Sequence, residues 1–161
     1  MDIKEKLIKE IHDSVFGDPW HGPSIQKIFE DIAEEEAYSK PFEYVHNILE
    51  LTLHMWAWTE EVKNRIEGKE PSEPEMGDWP DIKEYQNESW YSIKNKLFDS
   101  TEKLIESIKK FPGNKFSEMA GNFRDAPLGT GTTYEAMIMG LVQHNAYHGG
   151  QVSMLMKYMK R

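Results

Sequence analysis

Apolar positions recur at helical spacing along most of the chain, and no segment shows the strict alternation of a half-buried strand. Ile3, Leu7, Ile8, Ile11 and Val15 share one face, so residues 2–16 read as a first helix. FGDPWHGPS then breaks it, with two glycines and two prolines in nine residues. Pro23 can open a short helix whose apolar face is Ile25, Ile28, Phe29 and Ile32, and EEEAYSKP reads as its polar exit. A long helix is expected from about Tyr44 to Glu67, closed by Gly68, with Leu51, Met55, Trp58, Val62 and Ile66 as its inner stripe. GKEPSEPEMGDWPD is a loop. The next helix is expected from about Ile82 to Lys110, marked by Tyr85, Trp90, Ile93, Leu97, Leu104 and Ile108 and stopped at Phe111-Pro112-Gly113. Residues 112–131 lack a period, and a connection of that length is more often functional or partly structured than idle. Thr132 and Glu135 fit a T-x-x-E capping box that opens a last helix running to about Tyr158. Four long helices around one core predict an all-α protein, a four-helix bundle with long connections after the first helix and before the last. At 161 residues the chain suggests a single domain, 1–161.

Composition narrows the function. The formal charge is −9 and no long Lys/Arg run appears, so phosphate backbones would be repelled and nucleic acid is not an expected partner. No apolar run approaches the length of a membrane span, and MDIKEKLIKEIHD lacks the apolar region of a signal peptide. Cysteine is absent, which removes disulfides, thiolate ligands and cysteine nucleophiles, and a soluble cytoplasmic protein is the expectation.

The chain has six histidines, and two of them, His144 and His148, stand four apart in QHNAYHGGQ. An i, i+4 pair lies on one helix face. Met137, Leu141, Val152 and Leu155 belong to the same stripe, so the pair points inward. Two unpaired buried imidazoles are costly, and a divalent cation relieves that cost. The pair alone fits equally well two separately hydrogen-bonded core histidines. His54, in LELTLHMWAWTEE, adds a third inward histidine on another helix, with Leu51, Trp58 and Val62 on its stripe. Two ligands from one helix and one from a facing helix can converge inside a bundle, and three leave an open position for water or substrate. His46 lies about 12 Å along the same helix from His54 on this reading, too far to share an ion, and is taken as a helix-start residue. His12 reads as a surface residue. His21, in PWHGPS, fits a loop-ordering hydrogen bond or an acid/base contact near the metal.

These segments resemble the DinB/YfiT-like superfamily of bacterial metal-binding four-helix bundles over nearly the whole chain. PWHGPSIQKIFEDIAEEEAYSKP is similar to that family's opening segment, HNILELTLHMWAWTEEVKNRIEGKEP to its second helix, and QHNAYHGGQVSMLMK to its last helix, where a histidine pair precedes Gly-Gln. The resemblance implies a bundle with a long crossover and a metal site of His54, His144 and His148. It also implies a homodimer, and a low-molecular-weight thiol as cosubstrate in those relatives that transfer sulfur. Residues 112–131 align least, so substrate specificity does not carry over.

A divalent ion on three neutral imidazoles stays Lewis-acidic and lowers the pKa of a coordinated water or thiol. Without cysteine any thiolate must come from a cosubstrate, so the expected chemistry is S-transfer or hydrolysis; a non-catalytic, metal-stabilised dimeric stress-response module is the alternative. One transition ion per chain is expected, zinc or nickel ahead of iron or manganese. Gln151 is a candidate to bond a bound group or a ligand, and Tyr147 a packing or interface residue. Glu50, Glu60, Glu61 and Asn145 are the acceptors available to fix the imidazole tautomers.

Overall fold

The first helix is closed by its own side chains: Asp2 accepts from the Glu5 amide at 2.8 Å, and Glu5 accepts from the Asp2 amide at 3.1 Å. The computed structural model describes residues 2–160. It contains α1 (Ile3–Val15), α2 (Ile25–Phe29), α3 (Glu34–Tyr38), α4 (Ile48–Ile66), α5 (Trp90–Lys110) and α6 (Tyr134–Met159), with two-residue strands β1 (Met119–Ala120) and β2 (Thr132–Thr133). Among the described residues no helix is long and apolar enough to cross a membrane.

Where elements differ from the sequence reading, a capping or pairing interaction explains it. EEEAYSKP is not simply a polar exit: Glu36 accepts from the Ala33 amide at 2.8 Å, Ala37 is buried, and α3 forms. α4 starts at Ile48, not Tyr44, because Asn47 and Glu50 exchange two 2.8 Å capping bonds. His46 therefore precedes the helix. Ile82–Tyr85 is a separate 3-10 turn, and α5 begins after Ser89, which caps the Ser92 amide at 3.1 Å. The cap of α6 is Thr133, whose hydroxyl accepts from the Ala136 amide at 3.1 Å, and not Thr132, which pairs with Ala120 across β1 and β2.

The four long helices pack α1 against α5 and α6, and α4 against α5 and α6. Consecutive helices α1 and α4 thus face each other across a diagonal, as do α5 and α6. That is why the connections at 16–47 and 111–133 are long: each crosses an end of the bundle. The core is in two parts. One gathers Val15, Phe29, Leu53, Trp90, Leu97 and Val152; the other gathers Leu7, Ile11, Val62, Leu104, Ile108 and Leu141. The first half of α4 shares a cluster with the second half of α6, so these two helices run antiparallel. His54, His144 and His148 fall where the chain passes from one cluster to the other.

The double glycine of α6 has a packing cause at one position only. A Cβ on Gly149 would lie 2.8 Å from Ile25 Cδ1 and 3.1 Å from Ile28 Cδ1, so α2 rests directly on α6 there. Gly150 faces open space within the same helix. Gly150→Ala should therefore stabilise the fold by about 0.5–1 kcal/mol in urea unfolding, through the lost flexibility of the unfolded chain. Gly149→Ala should gain less or lose stability, because both isoleucines must move.

Candidate metal centre

His54 sits mid-way along α4 and is 6% exposed; His148 on α6 is 5% exposed, and His144, one turn earlier, is half-buried. Their side chains meet across the α4–α6 contact. His54 Nε2 and His144 Nε2 are 2.9 Å apart. One ligating atom from each of the three lies within 4.8 Å of the others, and together they form the only such group of histidine and acidic side chains among the described residues.

The outer nitrogens are held by acceptors. His54 Nδ1 donates to the Asp78 carbonyl at 2.5 Å, with an Asp78 carboxylate oxygen at 3.3 Å. His148 Nδ1 donates to Gln151 Oε1 at 2.7 Å. Each bond places the proton on Nδ1 and leaves Nε2 with its lone pair. The Trp79 indole stacks flat on the His54 ring at 3.9 Å between centroids, with 6° between planes. On its other face Trp79 stacks on His46 at 3.6 Å. The loop carrying both Asp78 and Trp79 is tied to α4 by Trp58, whose indole N–H donates to an Asp78 carboxylate oxygen at 2.7 Å. Nδ1 of His144 is buried without a partner among the described residues.

This donor set fits one divalent cation. Ring nitrogens about 2.1 Å from a tetrahedral ion lie about 3.4 Å apart. The close pair at 2.9 Å and the outer limit of 4.8 Å bracket that spacing. The set is three neutral imidazoles with no carboxylate, so a bound ion keeps most of its charge. Two cavities border the centre. His54 and His144 line one of about 430 Å³, with Trp58, Arg65 and the 124–129 loop; His148 lines the other, of about 620 Å³, with His46, Trp79 and Tyr147.

A family model described as the DinB superfamily matches residues 21–152, a span that includes all three histidines. The chain belongs to the DinB superfamily. No curated protein and no solved structure matches it.

In this DinB superfamily member the structure gives several of the roles expected from the sequence to other residues. Gln151 takes one of the two roles expected of it: its Oε1 accepts from His148, and the residue also lines the His148-side cavity. His21 is exposed on the connection after α1 and lines neither cavity at the centre. His12 is exposed, as expected. Three of the four expected acceptors are engaged elsewhere: Glu50 caps α4, Glu60 pairs with Lys63 and Glu61 pairs with Arg65; the Asn145 amide beside His144 opposes the lowering of its pKa but makes no well-aligned hydrogen bond to it. The acceptors are Asp78 and Gln151. Asp78 and Trp79 escape a reading by periodicity because they sit in a Pro- and Gly-rich loop that has no period. The tryptophan between two aspartates in GDWPD is the one sequence signal that could mark them.

Burial first, and then the neighbouring His148 and His54, push His144 down to about 3. Burial also lowers His54 and His148, against the opposing pulls of Asp78 and Gln151. All three are harder to charge in the fold than in the unfolded chain, where a histidine takes a proton below about pH 6.5. The unfolded chain then binds more protons, so stability falls as pH falls. Metal-free protein should lose stability from about pH 6.5 towards pH 3, by about 1.4 kcal/mol per pH unit from His144, with His54 and His148 adding in the same direction. Urea unfolding across that range checks this, and His144→Leu should reduce the slope.

Proposed function

We propose that the chain binds one divalent transition ion through His54, His144 and His148, zinc or nickel ahead of iron or manganese, and works as a thiol S-transferase or a hydrolase. The observation that carries this reading is that two of the three imidazoles have their outer nitrogen fixed by an acceptor, so that their inner lone pairs face one point between two cavities. The ion supplies Lewis acidity, lowering the pKa of a coordinating thiol or water. The chain's residues do the rest. The Asp78 carbonyl and Gln151 hold the ring tautomers. Trp79 covers the His54 ring against solvent. The two cavities give separate approaches for two reactants, which suits transfer from a thiol to an electrophile. Because the sequence has no cysteine, the sulfur must arrive on a cosubstrate.

A second reading is supported by the surface. Phe42, Tyr44, Tyr147, Met154 and Tyr158 are all exposed, and all line the His148-side cavity. A patch of this kind suits a homodimer, and a metal-stabilised dimeric module without catalysis would use it. A cytoplasmic location goes with either reading.

Untagged protein purified without added metal should carry close to one ion per chain by elemental analysis, and His144→Ala should carry none. Gln151→Leu should keep the site but weaken metal affinity by about ten- to a hundredfold. Turnover of model electrophiles with a small thiol, or of esters and amides, should be lost on chelation. Metal content without any chelator-sensitive turnover would favour the non-catalytic module.

A further inference from the structure

The 430 Å³ cavity at His54 and His144 has two charged residues in its lining, Arg65 and Arg124, and no acid. That is a local reversal in a chain of formal charge −9. Arg65 is 2% exposed. Its Nε donates to Glu61 at 2.7 Å and its Nη2 to the Ser72 carbonyl at 3.1 Å. These bonds fix the guanidinium plane. The remaining nitrogen, Nη1, is turned towards Gly129 on the cavity wall, 4.0 Å from where a Cβ would stand, and has no acceptor among the described residues. Glu61 balances the Arg65 charge, so Arg65 contributes a fixed donor and Arg124 contributes the net positive charge.

Arg124 is brought to the rim by a folded-back loop. Its Nη1 donates to the Thr130 carbonyl at 2.8 Å, and the Asp125 amide donates to the buried Thr130 hydroxyl at 3.0 Å. Gly131 makes the fold-back feasible: its φ is +68°, and a Cβ there would stand 2.7 Å from Arg124 Cα. Between the arginines and the histidines the walls are apolar, from Trp58, Val62, Leu128, Met137 and Leu141. His54 and Arg65 are eleven positions apart on α4, which is about 16 Å of helix and nearly the same face. The Arg65 side chain reaches back to Glu61, one turn nearer His54, which shortens that span.

We propose that this cavity selects an elongated small molecule with an oxyanion, a carboxylate above all, at the end away from its reacting group. Arg65 Nη1 and Arg124 hold the anion, the apolar walls take the chain, and the reacting end reaches His54 and His144. The span between the two ends is on the order of 10 Å. The inference deepens the metal-centre reading and rests on it for the reacting end only.

The test is a molecular ruler. Metal-loaded full-length protein is titrated calorimetrically with 3-mercaptopropionate, 6-mercaptohexanoate and 8-mercaptooctanoate, and with the mercapto-alcohols of equal length. The longer carboxylates should bind about ten- to a hundredfold tighter than their alcohols, and the shortest should show no such margin. Arg124→Gln and Arg65→Lys should each shrink the margin and leave alcohol binding unchanged. Arg124 is exposed, so its variant decides the matter if Arg65→Lys unfolds. Octanoate and octyl phosphate, as thiol-free competitors, separate a carboxylate from a phosphate. Equal binding of acids and alcohols at every length, a margin that survives both substitutions, or no binding of any probe overturns the proposal. Chelator-sensitive thiol binding without an acid margin sinks this inference and leaves the metal centre. Arginine-dependent octanoate binding with no chelator effect on the thiols does the reverse.

Discussion

Two nitrogen atoms at 2.9 Å, His54 Nε2 and His144 Nε2, set the terms for the whole centre. The Asp78 carbonyl keeps the His54 proton on Nδ1, so Nε2 of His54 can only accept. Metal-free, His144 answers by carrying its proton on Nε2 and donating it, which leaves its buried Nδ1 an unused acceptor. A cation between the rings would need the lone pair of His144 instead, with the ring's proton on Nδ1. Protons and metal therefore compete for the same atoms. Burial has already tilted that competition by making the charged imidazole costly, most of all at His144.

Such a layer is expensive inside a bundle, and the fold tolerates it by dividing the core. Apolar packing is complete above and below the histidines, in two clusters, so the polar layer interrupts neither. The connections then finish the centre. Residues 16–47 bring α2 down onto Gly149 and place His46 beside Trp79. The loop after α4 delivers Asp78 and Trp79 to the outer side of His54. The segment before α6 closes the far end of the cavity with Arg124 and Gly129. The helices hold the ligands, and the irregular segments determine what surrounds them.

That division explains how far the sequence could be read. The 3.6-residue period is a property of the helices, so the bundle, the inward faces of α4 and α6 and the three histidines were all visible in it. Helix starts were less so. Tyr44 to His46 continue the apolar-polar rhythm of α4, and only the Asn47–Glu50 capping exchange shows that they lie outside. Thr132 and Thr133 both offer a hydroxyl, and the choice between them is made by strand pairing with Ala120, a long-range contact. The acceptor for His54 and the arginine at the cavity rim come from loops. Their positions depend on tertiary hydrogen bonds such as Trp58 to Asp78 and Arg124 to Thr130, which no local pattern encodes.

That three donors meet at the centre, and not four, has a physical cause on each side of His54. A structural zinc site closes its coordination with four protein donors, and His46 is the nearest further imidazole. It cannot join, because the Trp79 indole lies between its ring and that of His54, in contact with both. The Asp78 carboxylate is close, yet it approaches the Nδ1 edge and is engaged by the Trp58 N–H, on the side of the ring away from Nε2. Trp79 and Trp58 thus hold off the two groups that could have completed the set. What the centre faces instead is two cavities, one with fixed guanidinium donors and one with an aromatic rim. A chain selected only for a stapled core would gain from a fourth donor; here the aromatic residues that exclude it also orient the donors that remain, which is what the proposed catalytic reading requires and a purely structural ion does not.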